Sequence, residues 1–347
     1  MNALRSASRG RLMEAIDRFD GTRVLAVADL VLDVFEYGAI DRISREAPVL
    51  ILHHVRTDHL PGGGANAIRN LRSLDAQPIV VGRVGEDREG EILVDLLQRS
   101  GVDTGGIWRD ADYRTPVKRR ILGGSAQSVK QQLVRIDAGG GPPVDGARAP
   151  ILESIRRLLE GADGVLVSDY SLGLLNSSTI GPLLRAINGR SLRLFVDSRS
   201  QIAAFSGMTA ATPNLPEAEA AAGGHIDDNA AALSRAGHSL RVSLRAEAIL
   251  LTRGSQGMSL FCADGSVAHL PVYGTDEVAD VTGAGDTVIS VFSLAVLSGA
   301  SFLEAALLSN YAGGIVVMKR GTACLSRDEL REAVRTDPDL ERRVSIQ

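Results

Sequence analysis

The sequence predicts an α/β protein built on a doubly wound, mostly parallel sheet flanked by helices, with a small β-sheet lid appended. Three observations carry that expectation. Apolar runs of strand length alternate with stretches of helical periodicity. Several of those runs are apolar throughout, as parallel strands covered on both faces are. Two segments interrupt the alternation with strand-like patterns and no helix between them.

Taken in order, the opening "MNALRSASRGRLMEAIDRF" has no apolar signal core, and Glu14, Asp17 and Asp20 argue against a transit peptide. It predicts a surface helix within an extension over residues 1–21. Strands are predicted at 22–29, 77–84, 163–169, 193–197, 208–214 and 247–253, and helices at 64–74, 88–99, 149–160, 178–189, 229–240 and 302–318. The interrupting segments, 34–59 and 115–137, predict short strands forming a flap over the site. The glycines and prolines of "DAGGGPPVDGARAP" (137–150) predict a loop or hinge. The uncharged stretch from Thr287 to Leu303 is 17 residues long and is broken by Ser290, Ser293, Ser298 and the run Gly299-Ala300-Ser301. It reads as a buried core helix rather than the ~20-residue apolar span a bilayer needs. Sheets of this kind hold ligands at the carboxyl ends of their strands.

Composition narrows the function. With 347 residues, 44% of them hydrophobic, the chain can bury a sizeable core. A formal charge of −4, a pI near 5.9 and the absence of like-charge blocks give no footprint for nucleic acid. Cys262 and Cys324 fit neither a disulfide framework nor a zinc ligand set, which suits a reducing, cytoplasmic setting.

Two glycine-rich stretches carry the chemistry. In "GGGANAIRN", Gly62, Gly64 and Ala67 satisfy a G-x-G-x-x-A pattern, but the preceding strand of a dinucleotide fingerprint is missing, since the first predicted strand lies about 35 residues earlier. The cluster either admits a polar ligand to the start of a helix, with Asn66 as donor and acceptor, or is a tight turn. No Gly-Lys pair occurs, which excludes a Walker A loop, and H-E-x-x-H is absent. Among the six histidines, His53 and His54 read as strand residues.

"DVTGAGDTVIS" (280–290) is the second stretch. Here Thr282 is a candidate N-cap, and the amides of Gly283, Ala284 and Gly285 form an anion hole at the positive end of a helix. Asp286 falls in the first turn. It is either an acid that complements the helix dipole or a base beside that hole, in line with a phosphoryl donor and an acceptor hydroxyl.

"DVTGAGDT", "PGGGANAIRN" and "VGRVGED" resemble, in order and spacing, the signatures of the ribokinase/PfkB sugar kinases. The likeness covers about residues 22–335, leaving 336–347 as a C-terminal tail. It implies a ribokinase-like kinase domain with lid segments at about 34–59 and 115–137. "VADLVLD", "DRISREAPV" and "NYAGGIVVMKRGTA" are most similar to the kinases that phosphorylate the anomeric O1 of D-glycero-D-manno-heptose 7-phosphate in ADP-heptose and lipopolysaccharide core synthesis. Some of those carry a fused nucleotidyltransferase domain with H-x-G-H, a motif this sequence lacks, so a single-activity kinase is implied.

The resemblance assigns roles. Asp286 is implied as catalytic base, with the Gly283, Ala284 and Gly285 amides neutralising the transferring phosphoryl. Asp33, at the end of the first predicted strand, joins Gly63, Gly64, Asn66 and Asp169 as acceptor-binding. Asn214, Thr252, Gly254 and Asn310 bind ATP, and Asn214 and Glu217 manage Mg²⁺, partly through water. The backbone of Asp280 and Thr282 corresponds to a monovalent cation (K⁺) site in some members. A homodimer through the lid is implied.

Departures bear on the acceptor. "SDYSLGLL" has Ser171 and Leu172 where a lysine is usual, and "DSRS" replaces "DPKG", leaving Arg199 nearby. Arg42, Arg69, Arg119 and Arg120 are candidates for the missing charge, against the reading of each as a solvated surface arginine. Three alternatives remain: a kinase for another sugar or a nucleoside, a non-catalytic sugar or nucleotide sensor on this scaffold, and a dinucleotide-dependent oxidoreductase.

Overall fold

In the computed structural model, which describes residues 8–124, 130–145, 150–227, 229–274, 279–319, 321–340 and 345–346, the apolar runs become a parallel sheet. The chain runs α1 (Arg9–Asp17), β1 (Arg23–Ala28), β2 (Leu30–Ile43), β3 (Leu50–Gly63), α2 (Gly64–Ser73), β4 (Gln77–Gly85), α3 (Arg88–Arg99) and β5 (Asp103–Asp110). It continues through β6 (Arg114–Gly124), β7 (Gln131–Gly140), α4 (Ile151–Leu158), β8 (Gly164–Asp169), α5 (Ser177–Asn188), β9 (Arg193–Ser198), β10 (Ala210–Ala211) and α6 (Leu215–Ala222). Then come α7 (Ala230–Leu244), β11 (Ala248–Thr252), β12 (Met258–Cys262), β13 (Val267–Leu270), α8 (Ala284–Leu297), α9 (Phe302–Val317), α10 (Arg327–Thr336) and β14 (Ser345–Ile346).

The main sheet has the order β14-β13-β12-β11-β10-β9-β8-β1-β4-β5. From β5 to β11 neighbouring strands are parallel; β11 to β14 form an antiparallel edge. The order turns back at β1, which lies between β4 and β8, so the carboxyl end of β1 is a switch point of the kind beside which such sheets hold ligands. Helices cover both faces: α8 and α9 belong to one apolar cluster with Leu250 and Phe195, and α4, α5 and α7 to another with Val165 and Ile249.

The smaller sheet, β3-β2-β6-β7, is the lid. Its strands are longer than the short ones expected: β2 and β3 pair antiparallel over most of their length, and β6 runs parallel to β2. The alternating pattern of 34–59 understates them because the hairpin tip is polar and exposed on both faces. Residues 125–129, inside the lid segment at 115–137, lie outside the described residues, as do 146–149 of the hinge.

Several boundaries move. Residues 8–21 are no surface extension: Leu12, Ile16 and Phe19 are fully buried with α8, α9 and α10 in one cluster. The C-terminal stretch is likewise tied down. Asp337 accepts a hydrogen bond from the Tyr311 hydroxyl at 2.6 Å, and Ser345–Ile346 pairs with β13. The strand predicted at 208–214 shrinks to Ala210–Ala211 because Pro213 has no N–H for the ladder.

The stretch read as a buried core helix becomes α8, whose residues from Asp286 to Val296 are all buried. Gly299, at φ +90°, turns the chain into α9, where Ser301 and Glu304 form a capping box. Among the described residues no helix is long and apolar enough to cross a membrane.

Candidate active site

A cleft of about 790 Å³ opens at the carboxyl ends of β8 to β11. Its lining combines apolar side chains, Leu215, Val272, Val281, Val288 and Val317, with polar groups, Asn214, Glu217, Asp197, Arg199, Gly285 and Asp286. Such a mixed lining suits a ligand that has both an apolar and an anionic part. Asn214, Glu217, Thr252, Gly254 and Asn310 all line it, so the residues expected to hold a nucleotide are brought together.

Asp286 lines this cleft and is 3% exposed. Its Oδ2 accepts from Asn66 Nδ2 at 3.0 Å, and its Oδ1 accepts from the Tyr170 hydroxyl at 2.8 Å. Burial pushes its pKa from an ordinary 3.8 up to about 6, while Asn66, Tyr170 and Lys118 pull back toward the charged form and Asp33 opposes them. A carboxyl group poised near neutrality, with a free lone pair direction on each oxygen, is suited to accept a proton.

The glycine turn before it differs from expectation in two ways. Thr282 does not cap α8: Gly283 does, at φ +81° and with no side-chain cap bond, and a Cβ there would meet Asn66 Nδ2 at 2.5 Å. The Ala284 amide is already taken, donating to Val281 O at 3.2 Å, because the turn closes on itself. The anion hole therefore reduces to Gly283 and Gly285, the latter with open space beside its Cα. Asp280, in turn, accepts from the Thr282 and Gly321 amides at 2.9 and 3.1 Å, which shapes the loop.

The acceptor side is built by the lid and α2. Asp33 does not end the first strand; it lies within β2, beyond β1, and faces Lys118 of β6 in register. Its carboxylate is buried, bridged to Arg120 at 2.7 Å and bonded by Thr322 Oγ1 at 2.9 Å. Arg120 is thus no solvated surface arginine. Arg119 pairs with Glu36 and Arg42 with Asp41, both partly or fully exposed, and Arg69 keeps a buried Nη1 without a partner among the described residues. Gly62, Gly63 and Gly64 have a packing reason: a side chain at Gly62 would run into the Asp33 carboxylate, and one at Gly64 into Ala28 Cβ at 2.7 Å. The turn brings Asn66 to Asp286, which the bland reading of the triplet would not require.

Asp169 is not brought to the cleft. Its oxygens accept from Ser171 N (2.9 Å), Ser198 Oγ (2.6 Å) and Gln201 Nε2 (3.3 Å), so it closes the loop after β8. Asp29 was not foreseen: buried at the end of β1, it accepts from the Tyr170 and Leu172 amides at 2.9 and 3.0 Å, and burial raises its pKa to about 6. Asp197 was also missed. It lines the cleft between Glu217 and Asp286, and burial and those two carboxylates hold its pKa well above the usual range. In sequence it is marked by its position at the end of a strand and as the first residue of "DSRS", but neither mark assigns it a role.

Glu217 and Asn214 form a reciprocal cap on α6, with bonds of 3.0 and 2.9 Å. Among the described residues no three His, Cys, Asp or Glu side chains form a protein-only metal cage. This donor set fits Mg²⁺, which keeps waters and binds through a carboxylate together with phosphate oxygens.

The model of the pfkB family carbohydrate kinases matches residues 25–132 and 188–328. The bifunctional protein HldE of Trichlorobacter lovleyi is 36% identical over 327 residues, covering 93% of this chain and 65% of that protein. HldE of Pseudomonas syringae pv. tomato is 38% identical over 331 residues, covering 95% and 67%. The chain thus spans about two-thirds of the length of these curated relatives. Arabidopsis thaliana ribokinase complexed with ribose and ATP superposes with a TM-score of 0.70 at 18% identity, covering 91% of this chain and 100% of that one. Escherichia coli phosphofructokinase-2 in complex with potassium gives 0.71 at 18%, covering 91% and 98%. At such identity these two show the fold alone.

Proposed function

The chain belongs to the pfkB family of carbohydrate kinases, and we propose that it transfers the γ-phosphoryl group of ATP to the anomeric O1 of D-glycero-D-manno-heptose 7-phosphate. One observation carries the transfer chemistry: Asp286, a buried carboxyl group with a pKa of about 6, stands where the cleft meets Asn66 and the lid. The acceptor hydroxyl gives its proton to Asp286 as its oxygen bonds to the γ-phosphorus. The bond to the β–γ bridging oxygen breaks in the same displacement, and ADP leaves. Gly283 and Gly285 at the head of α8 meet the charge on the transferring phosphoryl.

The part of the cleft lined by Thr252, Gly254 and Asn310 takes the nucleoside. Glu217 and Asn214 would hold Mg²⁺ through water, and that ion would neutralise phosphate charge in a cleft already lined by three carboxylates, Asp197, Glu217 and Asp286. A monovalent cation such as K⁺ has its candidate place in the Asp280–Thr282 turn.

For the acceptor, Lys118 and Arg120 stand on the lid strand beside Asp33, with Arg199 across Tyr170. With Arg120 paired to Asp33, Lys118 and Arg199 are the cations that favour a phosphorylated sugar over a neutral one. Similarity to HldE supports the heptose. The lid's outer strands expose Leu50, Val55, Leu133, Val134 and Ile136, which supports a homodimer formed by two lids.

The test is an acceptor screen with ADP release as readout, over heptose 7-phosphate, hexose phosphates, free sugars and nucleosides. Turnover with the heptose 7-phosphate at least tenfold above the others is expected. Preference for an unphosphorylated sugar or a nucleoside refutes the acceptor, and sugar binding without transfer in any Mg²⁺ condition refutes the enzyme.

A further inference from the structure

We infer that Tyr170 is the positioning residue for this transfer: its hydroxyl orients the Asp286 carboxylate and keeps it ionised, and its ring is held in turn by a cation from the lid and a cation from the main sheet. The inference rests on the kinase reading above for its consequence, but its geometry stands apart from the acceptor's identity. Tyr170 is the first residue after β8, at the carboxyl edge of the sheet, and lines the cleft. Its ring is approached by two cations, Lys118 Nζ of β6 at 4.7 Å from the centroid and Arg199 Cζ, which follows β9, at 4.2 Å. Two cations near one aromatic ring fix its tilt, each contributing by attraction to the π-face.

The backbone beneath is fixed as well. The amides of Tyr170 and Leu172 both point at Asp29 Oδ2, and Ser171 between them adopts φ +60°, a left-handed conformation that a serine holds only when its neighbours dictate it. Ser171 Oγ reaches Ser200 Oγ at 2.5 Å, closing the loop against the residue after Arg199. With backbone and ring both set, the hydroxyl arrives at Asp286 Oδ1 at 2.8 Å with one available direction.

This bond acts on chemistry in two ways. Asn66 fixes Oδ2 and Tyr170 fixes Oδ1, so the carboxylate plane cannot rotate, and the remaining lone pairs face the acceptor. A hydroxyl donor also favours the charged carboxylate against its burial. The groups that face Asp286 are Asn66 from α2, Asp33 from β2, Lys118 from β6, Asp197 from β9, Tyr170 itself and, farther off, Cys324. Tyr170, half-buried beside Asp286 and Asp197, has its own pKa held well above 10, chiefly by desolvation, so it stays a donor across the working range. Because Lys118 belongs to the lid, the ring also links lid position to the base.

Tyr170→Phe keeps the ring beside its two cations and removes only the hydroxyl. The acid limb of kcat/KM against pH is expected to move up by about one pH unit. Near pH 6 the rate falls about fivefold, approaching tenfold near pH 5; at pH 9 it returns close to wild type, and KM for ATP stays within about twofold. Lys118→Met shifts the limb in the same direction by less. A merely structural tyrosine would lower the rate at every pH. The second readout needs no turnover: the Asp286 carboxyl resonance in ¹³C-aspartate protein, assigned by its loss in Asp286→Asn, titrates at a higher pH in Tyr170→Phe than in wild type. An unmoved midpoint in folded Tyr170→Phe protein overturns the inference, whatever the acceptor screen gives. Absence of transfer by wild type with a shifted midpoint would refute the kinase reading and leave the contact standing.

Discussion

Asp286→Asn separates the two things a buried base does, and the structure sets the size of each. The substitution keeps shape and can still accept one hydrogen bond from Tyr170 or Asn66, whose donors approach at 2.8 and 3.0 Å. It removes the proton acceptor, so kcat should fall about a hundred- to ten-thousandfold, while the rest of the cleft keeps binding ATP. Stability should move the other way. Carrying the pKa from 3.8 to about 6, at about 1.4 kcal/mol for each tenfold change, means that holding the ion in the fold costs about 3 kcal/mol. The sign follows from which state releases its proton first. Below pH 3.8 both folded and unfolded chains are protonated and the cost is nil. Between 3.8 and about 6 only the unfolded chain ionises, and stability falls as pH rises; above 6 the full cost is carried. Asparagine carries none of it. One of the two donors, Tyr170 or Asn66, is left unmet at a cost of about 1–2 kcal/mol, so Asp286→Asn is expected to melt about 1–3 °C above wild type at pH 8 and close to wild type at pH 5. Scanning fluorimetry at the two pH values, paired with ADP release, reads both. A variant that melts below wild type at pH 8, or one that retains turnover within tenfold, refutes the reasoning.

Other outcomes follow from single contacts. Glu217→Gln keeps the cap on α6 and so the melting temperature, but should raise the Mg²⁺ concentration for half-maximal rate about tenfold, read by titrating Mg²⁺ at fixed ATP. Arg120→Met leaves the buried Asp33 with Thr322 alone and should destabilise by about 3–5 kcal/mol in urea unfolding, with Asp33→Asn in the same chain recovering part of the loss. Val55→Glu with Ile136→Glu places charges on the lid's exposed apolar strands and should halve the mass seen by light scattering; a wild type already at monomer mass refutes the lid dimer.

What the sequence made legible follows from the range of the interactions involved. The parallel strands are read from continuous apolar runs such as "VLAVA" and "GVLVSD", since burial on both faces leaves a local mark. The acid after Gly-Ala-Gly is local too, and α8 places it at the cleft. By contrast, the capping of that helix depends on Gly283 leaving room for Asn66, 217 residues away in the chain, and no local signal favours glycine over Thr282 for that place. Arg120 looks like any surface arginine until β6 is laid beside β2, when Asp33 becomes its partner. Asp169 fails for the converse reason: the end of a strand puts it at the right edge, but three donors from its own loop and from β9 turn it away from the cleft. The antiparallel edge from β12 to β14 is short, and its pairing is fixed only by docking on β11.

The lid explains why such different features have to coincide. Asp33 lies on β2 and Lys118 and Arg120 on β6, which run parallel and side by side, so a slip of β6 by one residue would turn Lys118 and Arg120 to the opposite face from Asp33 and break the group. That register is fixed from outside the site, by β3 on one flank and β7 on the other. Those two flanking strands also carry most of the lid's exposed apolar side chains, Leu50, Val55, Leu133, Val134 and Ile136, with Ile43 at the end of β2 beside them. If two lids cover those strands in a dimer, assembly and acceptor recognition depend on the same four strands, and the charge splitting that lid contact should abolish more than association. Disrupting the outer strands should loosen Lys118 from the Tyr170 ring and so raise the pH at which the base works, in the same direction as Lys118→Met. A monomeric Val55→Glu, Ile136→Glu variant whose acid limb matches wild type would separate the two roles and refute the coupling.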